Sequence, residues 1–220
     1  MAIKDNLLKI TSTLPSTVTL VAVTKTHPVQ KLEELYQAGH NVFGENKVQE
    51  MVEKYEALPK DIQWHLIGHL QTNKVKFIAP FVHLIHSVDS LKLLQEINKQ
   101  AQKNNRVIDC LLQVYIAKEE TKFGLDMSEV EQLLASGSIN ELKNIRIRGL
   151  MGMASNTSNT AQIAAEFKSL ADFFHQHKTT ATNNLKFEVL SMGMSSDYEI
   201  AIRNGSTLIR VGSLIFGNRA

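Results

Sequence analysis

Lys25 follows the run Val18–Thr24 (VTLVAVT), which is apolar and β-branched, so an amine stands where a buried strand gives way to a loop. Partial withdrawal from water there favours the neutral, nucleophilic form, which condenses with carbonyl compounds. From position alone, a solvated loop lysine is the competing reading. Near the other end, residues 205–217 read GSTLIRVGSLIFG. Gly212 leaves neighbouring N–H groups uncrowded and Ser213 adds a hydroxyl, a pairing suited to a phosphate dianion. Just before it, residues 190–197 read LSMGMSSD, a second Gly/Ser turn, here opening a helix whose N-terminus favours anions. Each turn alone is an ordinary glycine turn. Two of them after successive final strands point to phosphate. Arg210 cannot lose its proton, so it can only donate, to an interior carboxylate or to an unprotonated pyridine nitrogen.

Other candidates are weaker. His65 and His69 have the i, i+4 spacing of a helical metal pair, but Gly68 puts them across a strand–loop junction, so no metal is expected. His83, His86, His175 and His177 read as strand-end or surface residues. Asn46, in the turn Gly44-Glu45-Asn46, could orient a ligand or cap the next helix.

These residues need a scaffold that brings strand ends together. Short apolar runs alternate with amphipathic ones along the chain. Strands are expected at Val18–Thr24, Asn41–Phe43, Ile62–Ile67, His83–His86, Val107–Ile116, Ile145–Met151, Phe187–Leu190 and Thr207–Val211. Between them lie helical stretches from Pro28 to Ala38, Glu45–Leu58, Asn73–Ile78, a long helix capped by Asp89, Ser128–Ser136, Thr160–His177 and Asp197–Asn204. The Ser128 helix opens on a Ser-x-x-Glu pattern that reads as a capping box. Val107–Ile116 is the longest expected buried strand.

The strands are continuous apolar runs, as strands buried on both faces must be. About eight strand–helix units close a parallel barrel; an open doubly wound sheet gives a similar pattern. The reading is an α/β, single-domain (β/α)8 TIM barrel over residues 1–220, with an extra helix at residues 2–13.

A formal net charge of +2 with 21% charged residues argues against wrapping a nucleic acid. No run approaches the ~18 apolar residues of a membrane span, and the first residues lack the apolar core of a signal peptide. Cys110, the lone cysteine, falls in a buried strand. A cytoplasmic protein is expected.

The motifs AVTK (22–25) with Thr26-His-Pro28, FGEN (43–46), WHLIGHLQTNK (64–74), RGLMGMA (148–154), LSMGMSSD and GSTLIRVGSLIFG resemble those of the pyridoxal phosphate homeostasis proteins, the YggS/PROSC family. The likeness runs in order along the chain, and its 64–74 block is the most specific. It implies a barrel similar to the N-terminal domain of alanine racemase, with pyridoxal 5′-phosphate (PLP) as a Schiff base on Lys25 and Arg210 facing the pyridine nitrogen. Ser191, Gly212 and Ser213 are implied to hold the phosphate, with Val23, Asn46 and Met153 near the ring. Departures are mild: Leu66 stands where Phe is frequent, Gly152 and Ser155 vary a loop that often reads TMAP, and Ser213 replaces a frequent Thr.

Two functions then compete. One is a PLP carrier without a dedicated catalytic activity, buffering PLP or delivering it to PLP-dependent apo-enzymes and expected to be a monomer. The other is a PLP-dependent amino-acid racemase. Racemisation needs a second base, and the resemblance places Met153 where the racemase barrel has a histidine; a thioether transfers no proton. The chain also ends at Ala220, soon after the last strand, where the racemase continues into a second domain. Tyr36, Tyr55, Tyr115 and Tyr198 fall inside elements or away from the expected mouth. The carrier is therefore favoured. A sugar-phosphate Schiff-base aldolase is disfavoured by the resemblance.

Overall fold

In the computed structural model, which describes residues 3–118, 124–178 and 182–217, eight parallel strands close into a barrel in sequence order. They are β1 (Thr19–Val23), β2 (Val42–Glu45), β3 (Gln63–Leu66), β4 (Leu84–Val88), β5 (Ile108–Tyr115), β6 (Ile145–Met153), β7 (Leu185–Ser191) and β8 (Leu208–Val211). Closure is made by β1 against β8, in register from Thr19 opposite Leu208 to Ala22 opposite Val211. Around the barrel lie α2 (Val29–Gln37), α3 (Val48–Ala57), α4 (Val75–Ile78), α5 (Leu91–Lys103), α6 (Met127–Ala135), α7 (Thr160–His177), α8 (Tyr198–Arg203) and α9 (Ser213–Phe216). The additional α1 (Ile3–Thr11) buries Ile3, Leu7 and Ile10 and donates from Asn6 to the Ile215 carbonyl of α9.

The sheet divides the core in two. Outward residues such as Ala22, Phe43, Trp64, Ile85, Leu112 and Leu150 pack under the helices. Inward residues Val21, Leu84, Leu111, Met151 and Leu208 form a separate plug, flanked by Val42 and Val189. This is why the strands read as continuous apolar runs: both faces are buried.

One irregularity re-aims a strand. Register shifts on both sides of β6 centre on Gly149, whose φ is +147° and where a Cβ would lie 1.9 Å from the Val189 carbonyl oxygen. Only glycine fits so close an approach. Before this bulge Arg146 and Arg148 reach Asp109; after it Met151 joins the inner plug and Met153 the cavity wall.

Several boundary expectations change. β4 runs on to Val88, so His86 lies within the strand; β6 is one residue longer than β5, while β5 has the longest continuously buried run, as expected. The cap of α5 is Ser90, which accepts from the Leu93 N–H, not Asp89. The capping box of α6 pairs Asp126 with Glu129, and Ser128 only donates to the Asp126 carboxylate. A carboxylate accepts more strongly than a hydroxyl, so the earlier acid wins the cap. The short α9 was not anticipated, being a single turn without periodicity. Among the described residues no helix is long and apolar enough to cross a membrane.

Candidate functional site

Every strand sends residues from its carboxyl end to one cavity of about 780 Å³. Val23 and Lys25 come from the β1 end, and Asn46 from β2. Ile67, Gly68 and His69 follow β3, Asp89 follows β4, and Gln113 and Met153 stand on β5 and β6. Met194, Ser195 and Ser196 follow β7, and Arg210, Gly212, Ser213 and Leu214 complete the wall at β8.

The two Gly/Ser turns meet. The Gly212 N–H donates to Ser195 Oγ at 3.2 Å, and a Cβ on Gly212 would press on Val23 Cβ and its carbonyl oxygen, both at 3.2 Å. Asp197 braces the first turn by accepting the Met194 N–H at 2.6 Å. The opening N–H groups of α9, at Ser213 and Leu214, have no acceptor within that helix. Hydroxyls at residues 195, 196 and 213 beside these N–H groups make a donor-rich cradle, with Asp197 bonded into its turn and Asp89 elsewhere on the cavity wall. That chemistry fits a phosphate monoester.

Arg210 is almost wholly buried yet reaches the cavity. Its Nη1 donates to the Ser191 carbonyl (2.9 Å) and to Ser191 Oγ (2.6 Å), and its Nη2 to the Gly152 carbonyl (3.1 Å). Three of five guanidinium N–H donors are thus committed among the described residues, and two remain for a ligand. Burial pushes its pKa down to about 10, with Asp197 pulling the other way, so it stays cationic near neutrality.

Behind Arg210 runs a chain through the barrel interior. Ser191 Oγ lies 3.0 Å from His86 Nδ1, and His86 Nε2 lies 2.9 Å from His65 Nδ1. Burial drives both histidines neutral: His65 falls to about 3 and His86 well below the usual range, helped by its neighbours His65 and Arg210. Each neutral ring has one proton, so the chain must point one way. If Ser191 donates to His86 and His86 to His65, only the His65 Nε2–H is orphaned. The reverse would also strand the Ser191 hydroxyl proton, so the first direction is preferred.

A second polar cluster lies beside Lys25. Lys54 of α3 is buried and donates to the Thr24 carbonyl (2.8 Å), Glu45 Oε1 (2.7 Å) and Glu50 Oε1 (2.7 Å). Burial raises the Glu45 pKa, opposed by Lys54 and by the Thr24 hydroxyl.

Of the residues singled out in the sequence, the structure brings Lys25, Val23, Asn46, Met153, Arg210, Gly212 and Ser213 to one cavity wall. Ser191 is the exception. It is the last residue of β7, points into the barrel and is fully buried, with its hydroxyl committed to Arg210 and His86. Ser195 and Ser196 stand in the wall in its place, because the turn begins only after Gly193. His86 is likewise interior rather than a strand-end residue, since a continuously buried strand gives no alternation to betray it. His65 and His69 diverge: His65 enters the barrel chain, while His69 sits at the mouth, 3.4 Å from Asp89. Gly68 allows that turn; a Cβ there would lie 2.4 Å from the Asn46 carbonyl oxygen.

The model of the alanine racemase N-terminal domain family matches residues 1–220. A pyridoxal phosphate homeostasis protein of Aquifex aeolicus is 41% identical over 201 residues, 91% of this chain and 86% of that protein. The structure of PipY from Synechococcus elongatus without PLP superposes with a TM-score of 0.91 at 37% identity, covering 98% of this chain and all of that one. The same protein with PLP bound superposes with a TM-score of 0.88 at 36% identity and the same coverage.

Proposed function

The chain belongs to the pyridoxal phosphate homeostasis protein family (YggS/PROSC), and on that footing we propose that it binds PLP and serves intracellular vitamin B6 homeostasis, buffering or delivering the cofactor. Lys25 holds the cofactor as a Schiff base. When bound, PLP supplies an aldehyde that condenses reversibly with an amine. Arg210 donates to the ring nitrogen through its uncommitted N–H groups, which keeps that nitrogen unprotonated. Gly212 and Ser213, joined by Ser195 and Ser196 in place of Ser191, hold the phosphate. Val23, Asn46 and Met153 flank the ring.

The observation that carries this reading is the shared wall: an amine, a guanidinium with donors to give and a hydroxyl-rich cradle face one cavity. The protein acts in the cytoplasm as one 1–220 barrel domain, a monomer handing PLP to PLP-dependent apo-enzymes, without a dedicated catalytic activity. Protein reconstituted with PLP should be yellow, and borohydride should fix the label on the peptide containing Lys25. Lys25→Ala should lose the adduct yet keep weak, phosphate-dependent binding. Label recovered at Lys74 instead would refute the assignment.

One observation speaks for the racemase alternative. His69, paired with Asp89, is a titratable group in the same wall. Chiral chromatography of L- and D-alanine over hours separates the two. A turnover of roughly 1 s⁻¹ or more, lost in both Lys25→Ala and His69→Asn, would replace the carrier by the racemase.

A further inference from the structure

The ion cluster beside Lys25 touches the backbone on both sides of that residue. On one side, Thr24 is fully buried; its N–H donates to the Gly44 carbonyl, its hydroxyl to Glu45 Oε1 at 2.5 Å, and its carbonyl accepts from Lys54. On the other side, the Thr26 N–H donates to Glu50 Oε1 at 2.5 Å. Thr26 has φ of +67°, the left-handed region that a β-branched residue avoids. The chain thus turns sharply just after Lys25, in a conformation that persists only where surroundings impose it.

The surroundings are two acids and a buried ammonium. Lys54 has three N–H donors, and all three are used. Burying such a group is unfavourable against an apolar side chain of similar size, so helix-to-sheet packing alone does not call for it. What an apolar residue could not do is tie Glu50 and Glu45 together while holding the Thr24 carbonyl. We infer that Glu50, with Lys54 and Glu45, is a positioning device for Lys25: it fixes the peptides before and after the lysine so that its amine is presented to the cavity. The role of that amine rests on the PLP reading; the geometry of the clamp does not.

Glu50 is the place to test it, because it is the partly exposed member of the cluster and Glu50→Ala leaves the Lys54–Glu45 pair intact. Two readouts are taken on wild type, Glu50→Ala and Glu50→Gln. In protein without PLP, acetic anhydride labelling of Lys25 is compared with labelling of Lys92 on α5 by peptide mass spectrometry. In protein with PLP, the amount fixed on Lys25 by borohydride is divided by the total bound. Glu50→Ala should lower both ratios, by up to about a hundredfold, the scale on which a 1 Å misplacement of a reacting group acts. Total PLP binding should change far less, since the phosphate cradle is untouched. Glu50→Gln keeps an oxygen for the Thr26 N–H and should recover most of the loss. Wild-type ratios in Glu50→Ala would overturn the proposal. So would adduct and total binding falling in parallel with the melting temperature, which would make the cluster merely structural. If wild type itself forms no adduct on Lys25, the PLP reading falls, and the labelling ratio without PLP still decides whether Glu50 positions the lysine.

Discussion

Two buried polar networks meet the cavity from different sides, and they are built on opposite electrostatic plans. Beside Lys25, between the sheet and α3, the network is ionic: Lys54 with Glu45 and Glu50, reaching the backbone around the residue it serves. Behind Arg210, inside the barrel, it is neutral: His65, His86 and Ser191 end on the guanidinium itself. The difference follows from access to solvent and to partners. Glu50 keeps some exposure and Lys54 has three acceptors, so opposite charges meet in direct contact beside Lys25. The barrel interior offers the histidines each other, Ser191 and a cation, and burial removes their charge. One network aims a flexible lysine through its main chain; the other fixes a rigid planar fork at its head.

If that contrast is right, the ionic network is the more fragile to loss of one member. Lys54→Met leaves Glu45 fully buried with no counter-ion, a situation that costs about 3–5 kcal/mol. Urea unfolding should report a loss of that size, a large share of the total stability of a domain. A loss no greater than that of Ser191→Ala would erase the distinction between the two networks.

Ser191→Ala is the matching cut in the neutral network. It leaves His86 Nδ1 without a partner and removes one of two Ser191 acceptors from Arg210 Nη1, for about 1–3 kcal/mol. The same variant separates the two placements of the phosphate site. With Ser191 below the cavity, PLP and pyridoxal should weaken together and their affinity ratio should hold. Ser213→Ala should instead lower that ratio. A ratio that collapses in Ser191→Ala would restore the placement expected from sequence.

How far the sequence is legible follows from which contacts are local. The barrel was readable because each strand is an apolar run in its own right, and α7 because four aromatic or aliphatic residues recur on one face over Thr160–His177. Lys25, Gly212 and Ser213 were readable because strand ends in a barrel face one side. Ser191 and His86 were not, because they meet across 105 residues of chain; Lys54 was not, because its nearby acids Glu50 and Glu45 read as an ordinary solvated helix face rather than a buried cluster. Nor does any periodicity tell inside from outside in a strand buried on both faces, and a single bulge at Gly149 reverses the assignment for Met151 and Met153.

Acid is the most discriminating probe, because it should act on the two networks with opposite sign. His65 and His86 have folded-state pKa values below the ordinary 6.5, so on acidification the unfolded chain binds protons that the folded one refuses. Their contributions are fully present above 6.5 and are lost as pH falls, toward about 3 for His65 and well below 6.5 for His86, on the order of 1 kcal/mol per pH unit for each ring while it titrates. Glu45 runs the other way. Its folded pKa is raised above 4.5, so its contribution is present below 4.5 and fades as pH rises through the folded value. Between 4.5 and 6.5 the wild-type slope is therefore a difference. Glu45→Gln removes the opposing part, and urea midpoints should then fall more steeply with acid than in wild type. His65→Phe removes one of the two falling contributions and should flatten the curve. Parallel curves for all three proteins would mean that neither network titrates as burial requires, and that the division into an ionic clamp and a neutral chain is wrong.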